Sequence, residues 1–358
     1  MAVMPQTSSG LPRGRVIYPG TAAPIWVWEA DGPPGAPTLL LLHGWMATAA
    51  LNWYPSLAYL GQRFRVVAPN LRGHGREGCG APPFSLEGCS DDLAALIDEL
   101  DIRRPIAVGY SMGGALAQVL ARRHGDLLGG IVLCATAATF ARRVKLRPLV
   151  RLTGSVLSKT ARAHPEGAAS LLRWRLKRHD RAAAIRRARV ASASIGAPVD
   201  LRTSPGRAAR AASLAAAPPS GPGPGPVQSF EVGAARSADG SEPGPGADLA
   251  VLPASPDRTW AMEERGLSHL AAYVEAGAEL NAYDSSAWLA ELRLPTAVVV
   301  TARDRTVAPW RQEAMAALVP GARRYSVEAG HDAAVTHSDI FLPVLAGACL
   351  AVAARGRP

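Results

Sequence analysis

Ser111, Asp304 and His331 have the residue types, and the order along the chain, that nucleophilic acyl transfer requires. Ser111 is the centre of Gly109-Tyr110-Ser111-Met112-Gly113. The apolar run Ile106-Ala107-Val108 leads into it, and the helix-forming stretch from Ala115 to Ala121 follows. The pattern predicts a strand, a sharp turn and a helix, with the serine strained at the apex and its Oγ above the sheet edge. Glycines stand on either side because side chains there would crowd the turn. The start of the helix turns free N–H groups and a positive dipole end toward the same spot. A hydroxyl so placed is set to attack a carbonyl. The pentapeptide alone is a weak sign in a chain with 35 glycines, where an ordinary strand-to-helix turn gives the same letters. The other parts of the constellation decide.

A nucleophilic serine needs a base, and the base needs an orienting acid. Downstream, Pro295-Thr296-Ala297-Val298-Val299-Val300-Thr301 reads as a buried strand. It ends in Ala302-Arg303-Asp304, which puts Asp304 just past a strand's carboxyl end, where such sheets carry their sites. A further strand, Arg324-Tyr325-Ser326-Val327, leads to Glu328-Ala329-Gly330-His331, with the histidine in a loop after a glycine. Singly, Asp304 reads as a turn former and His331 as a surface residue. Of the chain's eight histidines only His331 and His337 follow Asp304, and His337 falls at the approach to the last helix. Three such residues in order, each at a strand end, make a catalytic triad the preferred reading.

An oxyanion hole needs two N–H donors. The residue after the nucleophile, Met112, supplies one. The apolar strand Thr38 to Leu42 ends in His43-Gly44-Trp45-Met46, and the Trp45 amide is the natural second donor. Because the donors are backbone groups, the side chains of Trp45 and Met112 are expected to line an acyl pocket.

These residues need a scaffold that brings strand ends together. Eight strands are expected, near Arg15, Ile25, Leu39, Arg65, Ile106, Ile131, Ala297 and Arg324. Helical stretches such as Asp91 to Leu100 separate most of the later ones, which predicts a mostly parallel, doubly wound α/β sheet. The first two strands, joined by Gly20 to Pro24, read as an antiparallel edge hairpin. The apolar stretch from Ile340 to Ala354 reads as a last helix packed on the sheet, too short to span a bilayer.

The chain resembles the α/β-hydrolase superfamily, in its bacterial serine-esterase branch. The likeness is carried by His43-Gly44-Trp45, by Arg65-Val66-Val67-Ala68-Pro69-Asn70-Leu71-Arg72-Gly73-His74-Gly75, by the serine turn, by Asp304 and by Gly330-His331. It implies the α/β-hydrolase fold of eight strands with an inserted helical cap, and triad roles for Ser111, Asp304 and His331. The pair Trp45 and Met112 is similar to that of aryl esterases with perhydrolase side activity. Where the family usually has an Asp before x-R-G-H-G, this chain has Asn70.

Domain boundaries follow: residues 1–138 and 291–358 form the catalytic core, and residues 139–290 the cap. Residues 141–190 hold fifteen Lys or Arg against Glu166 and Asp180. The whole chain is +10, so its basic character belongs to the cap. The simplest reading of runs such as Arg173 to Arg178 is a solvated helix face. Contact with anionic lipid headgroups, or steering of acidic substrates, is the functional alternative. Nothing beyond the charge points to nucleic acid. Residues 203–256, rich in Pro, Gly, Ala and Ser, read as a disordered insertion within the cap. From Trp260 to Leu280 a helical pattern resumes.

The four cysteines show no metal-ligand spacing, and no phosphate loop or dinucleotide fingerprint is present. No cofactor or metal is expected. The residues Met1 to Gly14 have no apolar core, so no signal peptide is visible and a cytoplasmic protein is expected. The leading functional reading is a serine hydrolase acting on a small carboxylic ester through an acyl-enzyme. Acyl transfer, perhydrolysis and carbon–carbon bond hydrolysis use the same site. A non-catalytic binding protein on the same fold is the reading from another class.

Overall fold

A computed structural model of the chain describes residues 13–20, 23–75, 82–140, 157–163 and 267–356, together with 167, 170, 260, 261 and 264. All eight expected strands form. They are β1 (Arg13–Ile17), β2 (Ile25–Ala30), β3 (Thr38–Leu42), β4 (Arg65–Pro69), β5 (Ile106–Tyr110), β6 (Gly130–Cys134), β7 (Thr296–Thr301) and β8 (Arg323–Val327). They make one sheet in the order β1-β2-β4-β3-β5-β6-β7-β8. The expected edge hairpin is there: β1 pairs antiparallel with β2, and β2 antiparallel with β4. Every other pairing is parallel. The winding direction reverses between β3 and β5, so their carboxyl ends flank the crevice at the switch point, where open α/β sheets bind ligands.

The central strands are apolar on both sides because both faces are covered. Successive side chains point to opposite faces. Leu40, Leu42, Ala107, Ile131, Leu133 and Val298 join one core layer, and Leu39, Leu41, Val108, Val132, Ala297 and Val299 the other. The first layer is closed by α2 (Leu86–Glu99), α3 (Met112–Arg123), α4 (Leu270–Ala282) and α5 (Pro309–Leu318). The second is closed by α1 (Ala49–Gly61), the short α6 (Ala333–Thr336) and α7 (Ser338–Arg355). Each fully buried leucine in these layers contributes about 1.5–3 kcal/mol.

Three elements differ from expectation. Helix α2 starts five residues before Asp91, because the Ser85 hydroxyl caps it by accepting from the Gly88 N–H. Within the stretch expected to be helical from Trp260 to Leu280, residues 267–269 are not helical, and α4 begins after them. The break lets the chain dock: the His269 N–H donates to the Gly73 carbonyl, and Ser268 Oγ accepts from the Gly75 N–H. The C-terminal stretch forms a helix of 18 residues, which by length and composition suffices to cross a membrane. In this fold α7 packs on the sheet, with Phe341, Leu342, Leu345, Ala348, Cys349 and Val352 buried.

Asn70 does structural work of its own. Its side-chain oxygen accepts from the Ala49 N–H at 2.9 Å and so caps α1, and its amide packs against Gly75. Of the basic residues in 141–190, Lys159 and Arg162 are described, and Arg162 is paired with Glu275 of α4 at 2.8 Å. The runs at 173–178 and 186–189, and the stretch 203–256, lie outside the described residues. Cys89, Cys134 and Cys349 are buried free thiols.

Candidate active site

Ser111 sits between β5 and α3 at φ 53°, ψ −113°, a left-handed conformation that side chains other than glycine rarely adopt. The turn holds it there by close backbone approach. A Cβ on Gly109 would lie 2.2 Å from the Gly113 carbonyl oxygen, and one on Gly113 would lie 2.1 Å from the Leu42 carbonyl oxygen. The Ser111 N–H donates to the Cys134 carbonyl at 2.9 Å, and the Ser111 carbonyl accepts from the Thr136 hydroxyl at 2.8 Å. The end of β6 and the residues just after it thus fix the peptide on both sides of the serine.

Asp304 follows β7 by three residues, and its carboxylate is fully enclosed. Oδ1 accepts from the Thr306 and Val307 N–H groups at 2.8 and 2.9 Å. Oδ2 accepts from the Thr301 hydroxyl at 2.8 Å, from the Gln312 amide at 3.3 Å and from His331 Nδ1 at 2.7 Å. Burial pushes the carboxyl pKa up. The hydrogen bond and charge of His331, with the Val307 and Thr301 donors, outweigh this and hold it below the ordinary aspartate value.

His331 lies in the loop after β8, and its Nε2 is 3.0 Å from Ser111 Oγ. An ionised carboxylate only accepts, so Nδ1 carries a proton toward Asp304. The lone pair of Nε2 then faces the serine hydroxyl. The three residues expected from the sequence are therefore joined by an unbroken pair of hydrogen bonds. An open cleft of about 410 Å³, lined by Arg303, Arg305, Thr306, Gly330, His331 and Asp332, opens beside the imidazole.

The two residues expected to supply oxyanion donors lie in the segments next to this serine. Met112 is the first residue of α3, where an N–H has no acceptor within the helix. Trp45 lies in the loop after β3 next to Gly44, where a Cβ would come 3.6 Å from Ser111 Cβ. The loop is tied down by the Gly44 N–H, which donates to Asn52 Oδ1 at 2.9 Å. Met46 turns the chain at φ 59°. The Met112 side chain does not behave as expected of a pocket wall. Met112 is wholly buried, in the same core layer as Ala276 and Leu280 of α4. The Trp45 indole N–H is engaged with the Tyr273 carbonyl of α4 at 2.9 Å.

Residues without any local motif complete the surroundings. The Tyr110 hydroxyl donates to the His331 carbonyl at 2.7 Å. Gln312 bonds Thr301 Oγ1 at 2.9 Å and the Val307 carbonyl at 2.8 Å, bracing the groups that hold Asp304. Beneath the Trp45 loop, His43 and His74 are buried with ring centroids 5.2 Å apart. His43 Nε2 accepts from the Leu71 N–H, so Nδ1 donates to the Gly44 carbonyl. Burial, with the neighbouring His74, lowers the His43 pKa to about 3, and burial lowers that of His74 to about 4. Both are neutral at ordinary pH. Among the described residues no cluster of His, Cys, Asp and Glu is arranged to hold a metal ion.

Comparison with known proteins extends these observations. The family model described as alpha/beta hydrolase fold matches residues 37–338. An uncharacterized protein of Mycobacterium tuberculosis is 34% identical over 97 residues, covering 27% of this chain and 28% of that protein. A bifunctional esterase/perhydrolase of Acinetobacter calcoaceticus is 31% identical over 119 residues, 33% of this chain and 43% of that enzyme. The matched region thus spans less than half the length of either relative. The crystal structure of the enol-lactonase from Burkholderia xenovorans superposes with a TM-score of 0.57 at 20% identity, covering 91% of this chain and 96% of that one, a likeness of fold.

Proposed function

The chain belongs to the alpha/beta hydrolase fold family, and on that premise we propose that it is a serine hydrolase cleaving a carboxylic ester through an acyl-enzyme. The reading is carried by one observation: Asp304, His331 and Ser111 are linked at 2.7 and 3.0 Å, with the serine held on a left-handed turn. Ser111 Oγ attacks the ester carbonyl while His331 Nε2 takes its proton. The imidazolium then protonates the departing alkoxide, and Asp304 stabilises its charge and keeps Nδ1 protonated. The amides of Trp45 and Met112 stabilise the tetrahedral oxyanion. Water, deprotonated by His331, attacks the acyl-enzyme and releases the acid. Residues 139–290 serve as the cap that shapes substrate choice.

Peroxide in place of water is a second acceptor that fits the site. It is favoured by the esterase/perhydrolase among the relatives. A fluorophosphonate probe and a nitrophenyl ester test the main reading. The protein should be labelled and turn over the ester, and Ser111→Ala should do neither. An unlabelled parent, or an active Ser111→Ala variant, would refute it. Product analysis with competing peroxide separates the two acceptors.

A further inference from the structure

The chain that returns toward β7 is joined to helix α1 and to the loops after β3 and β4. The Thr48 hydroxyl donates to Glu264, and Trp260 packs edge-on against Tyr54 with centroids 6.0 Å apart. The His269 N–H donates to the Gly73 carbonyl, and the Gly75 N–H to Ser268. The Trp45 indole N–H donates to the Tyr273 carbonyl. Opposite that indole, α4 carries a glycine. A Cβ on Gly277 would stand 2.9 Å from Trp45 Cζ2, closer than real contacts allow. On its buried side the same helix packs through Ala276 and Leu280 in the layer that holds Met112. One helix, more than 220 residues away in sequence from Trp45, therefore holds the Trp45 side chain.

We propose that α4 positions the oxyanion hole, with Gly277 as a positioning residue: the notch it leaves and the Tyr273 carbonyl together fix the Trp45 side chain, and through it the Trp45 peptide. This rests on the serine-hydrolase reading above. The physical reason is leverage. Trp45 follows a glycine and precedes the left-handed Met46, so its peptide can rotate unless the side chain is anchored. An oxyanion donor acts only when its N–H is aimed before the charge develops, and losing one donor costs roughly 10²–10³ in kcat. Loosening the anchor without removing the donor should cost less.

The test uses the full chain and two variants. Gly277→Ala puts a methyl group against the indole. Trp45→Phe removes both the indole N–H and the carbon that Gly277 faces, and leaves the backbone donor in place. Each should lower kcat about tenfold on a nitrophenyl ester with KM within about twofold. Each should weaken a trifluoromethyl ketone, which mimics the tetrahedral oxyanion, by a similar factor. Because Trp45→Phe removes the clashing atom, the double variant should be no worse than Trp45→Phe alone. Should Gly277→Ala melt below the assay temperature, Trp45→Phe still carries the test, since it adds no atom. Unchanged kcat in both variants, a rise in KM alone, or losses that multiply in the double variant would overturn the proposal. Ser111→Ala run alongside separates the two readings. Activity there refutes the serine mechanism itself, whereas an inactive Ser111→Ala with full kcat in the other variants refutes only the role of α4.

Discussion

Tyr110, the residue immediately before Ser111, holds the backbone of His331: its hydroxyl donates to the His331 carbonyl across 221 residues of sequence. Tyr110 is buried between Trp53 and Phe341, with ring centroids 5.9 and 5.8 Å away. The strand that delivers Ser111 therefore also sets the height of the imidazole. Tyr110→Phe keeps the ring and frees the carbonyl. Its expected cost is about 1 kcal/mol in stability and roughly tenfold in kcat, from misplacement of His331. Thermal melts and steady-state kinetics measure the two, and a kcat equal to the parent's would show that the loop after β8 holds His331 unaided.

Ser111→Ala and His331→Ala should each lower ester turnover by several orders of magnitude, and the double variant should be little worse than either single. Groups that act as one unit lose their effect together. Losses that multiply would mean the two residues act independently.

Asp304→Asn should retain the fold and lower kcat by on the order of 10⁴, because an amide no longer favours the Nδ1-protonated tautomer. Asp332→Asn, at the cap of the short α6, should cost little. The Asp304 carboxyl is held below its unfolded pKa of about 3.9. Its contribution to stability is therefore present above that pH and is lost as pH falls through the lowered value. Acid unfolding of the parent and Asp304→Asn, followed by far-ultraviolet circular dichroism, should converge at low pH. If Asp332→Asn were the inactive one, the acid would have to be reassigned.

His43 and His74 predict a second acid sensitivity. Their folded pKa values, about 3 and about 4, lie below the unfolded value of about 6.5. Between these limits the unfolded chain binds more protons, so stability is full above pH 6.5 and declines as pH falls toward 4. Among the described residues His74 Nε2 has no partner, and the ring packs against Phe84 and Tyr273, so His74→Phe is sterically reasonable. That variant should reduce the slope of unfolding free energy against pH near pH 5 by about 1 kcal/mol per pH unit. Urea titrations at pH 4.5, 5.5 and 7 read the slope, and an unchanged one would place the acid sensitivity elsewhere.

The sheet and the three aligned residues were legible because they are written locally. A run such as Val298-Val299-Val300 is a strand for reasons contained in the run, and Gly109 and Gly113 mark the turn around Ser111 within five letters. The groups that brace the site were not legible. Gln312 is one amide on an ordinary helix until β7 brings Thr301 and Asp304 to it. Nothing near Trp45 announces that its indole will meet α4. The helix break at 267–269 also depends on distant partners, since Gly73 and Gly75 supply the bonds that make it favourable. Asn70 was visible as a departure from the family pattern, but its role as the cap of α1 appears only once β4 lies beside that helix.

The 220-residue separation between Ser111 and His331 has a consequence for a chain emerging from the ribosome. The turn that displays the serine is complete once β3, β5 and β6 have emerged. Asp304 and His331 arrive only after β7 and β8 have paired onto the far edge of the sheet. Domains are synthesised from the amino end at about 5–20 residues per second, so the interval lasts on the order of ten seconds or more. During that time the nascent protein displays a hydroxyl with no proton acceptor, and fragments ending before residue 331 share that state. Under the proposed mechanism the triad is assembled as one of the last events of folding, when little of the chain remains to be protected from its reactivity.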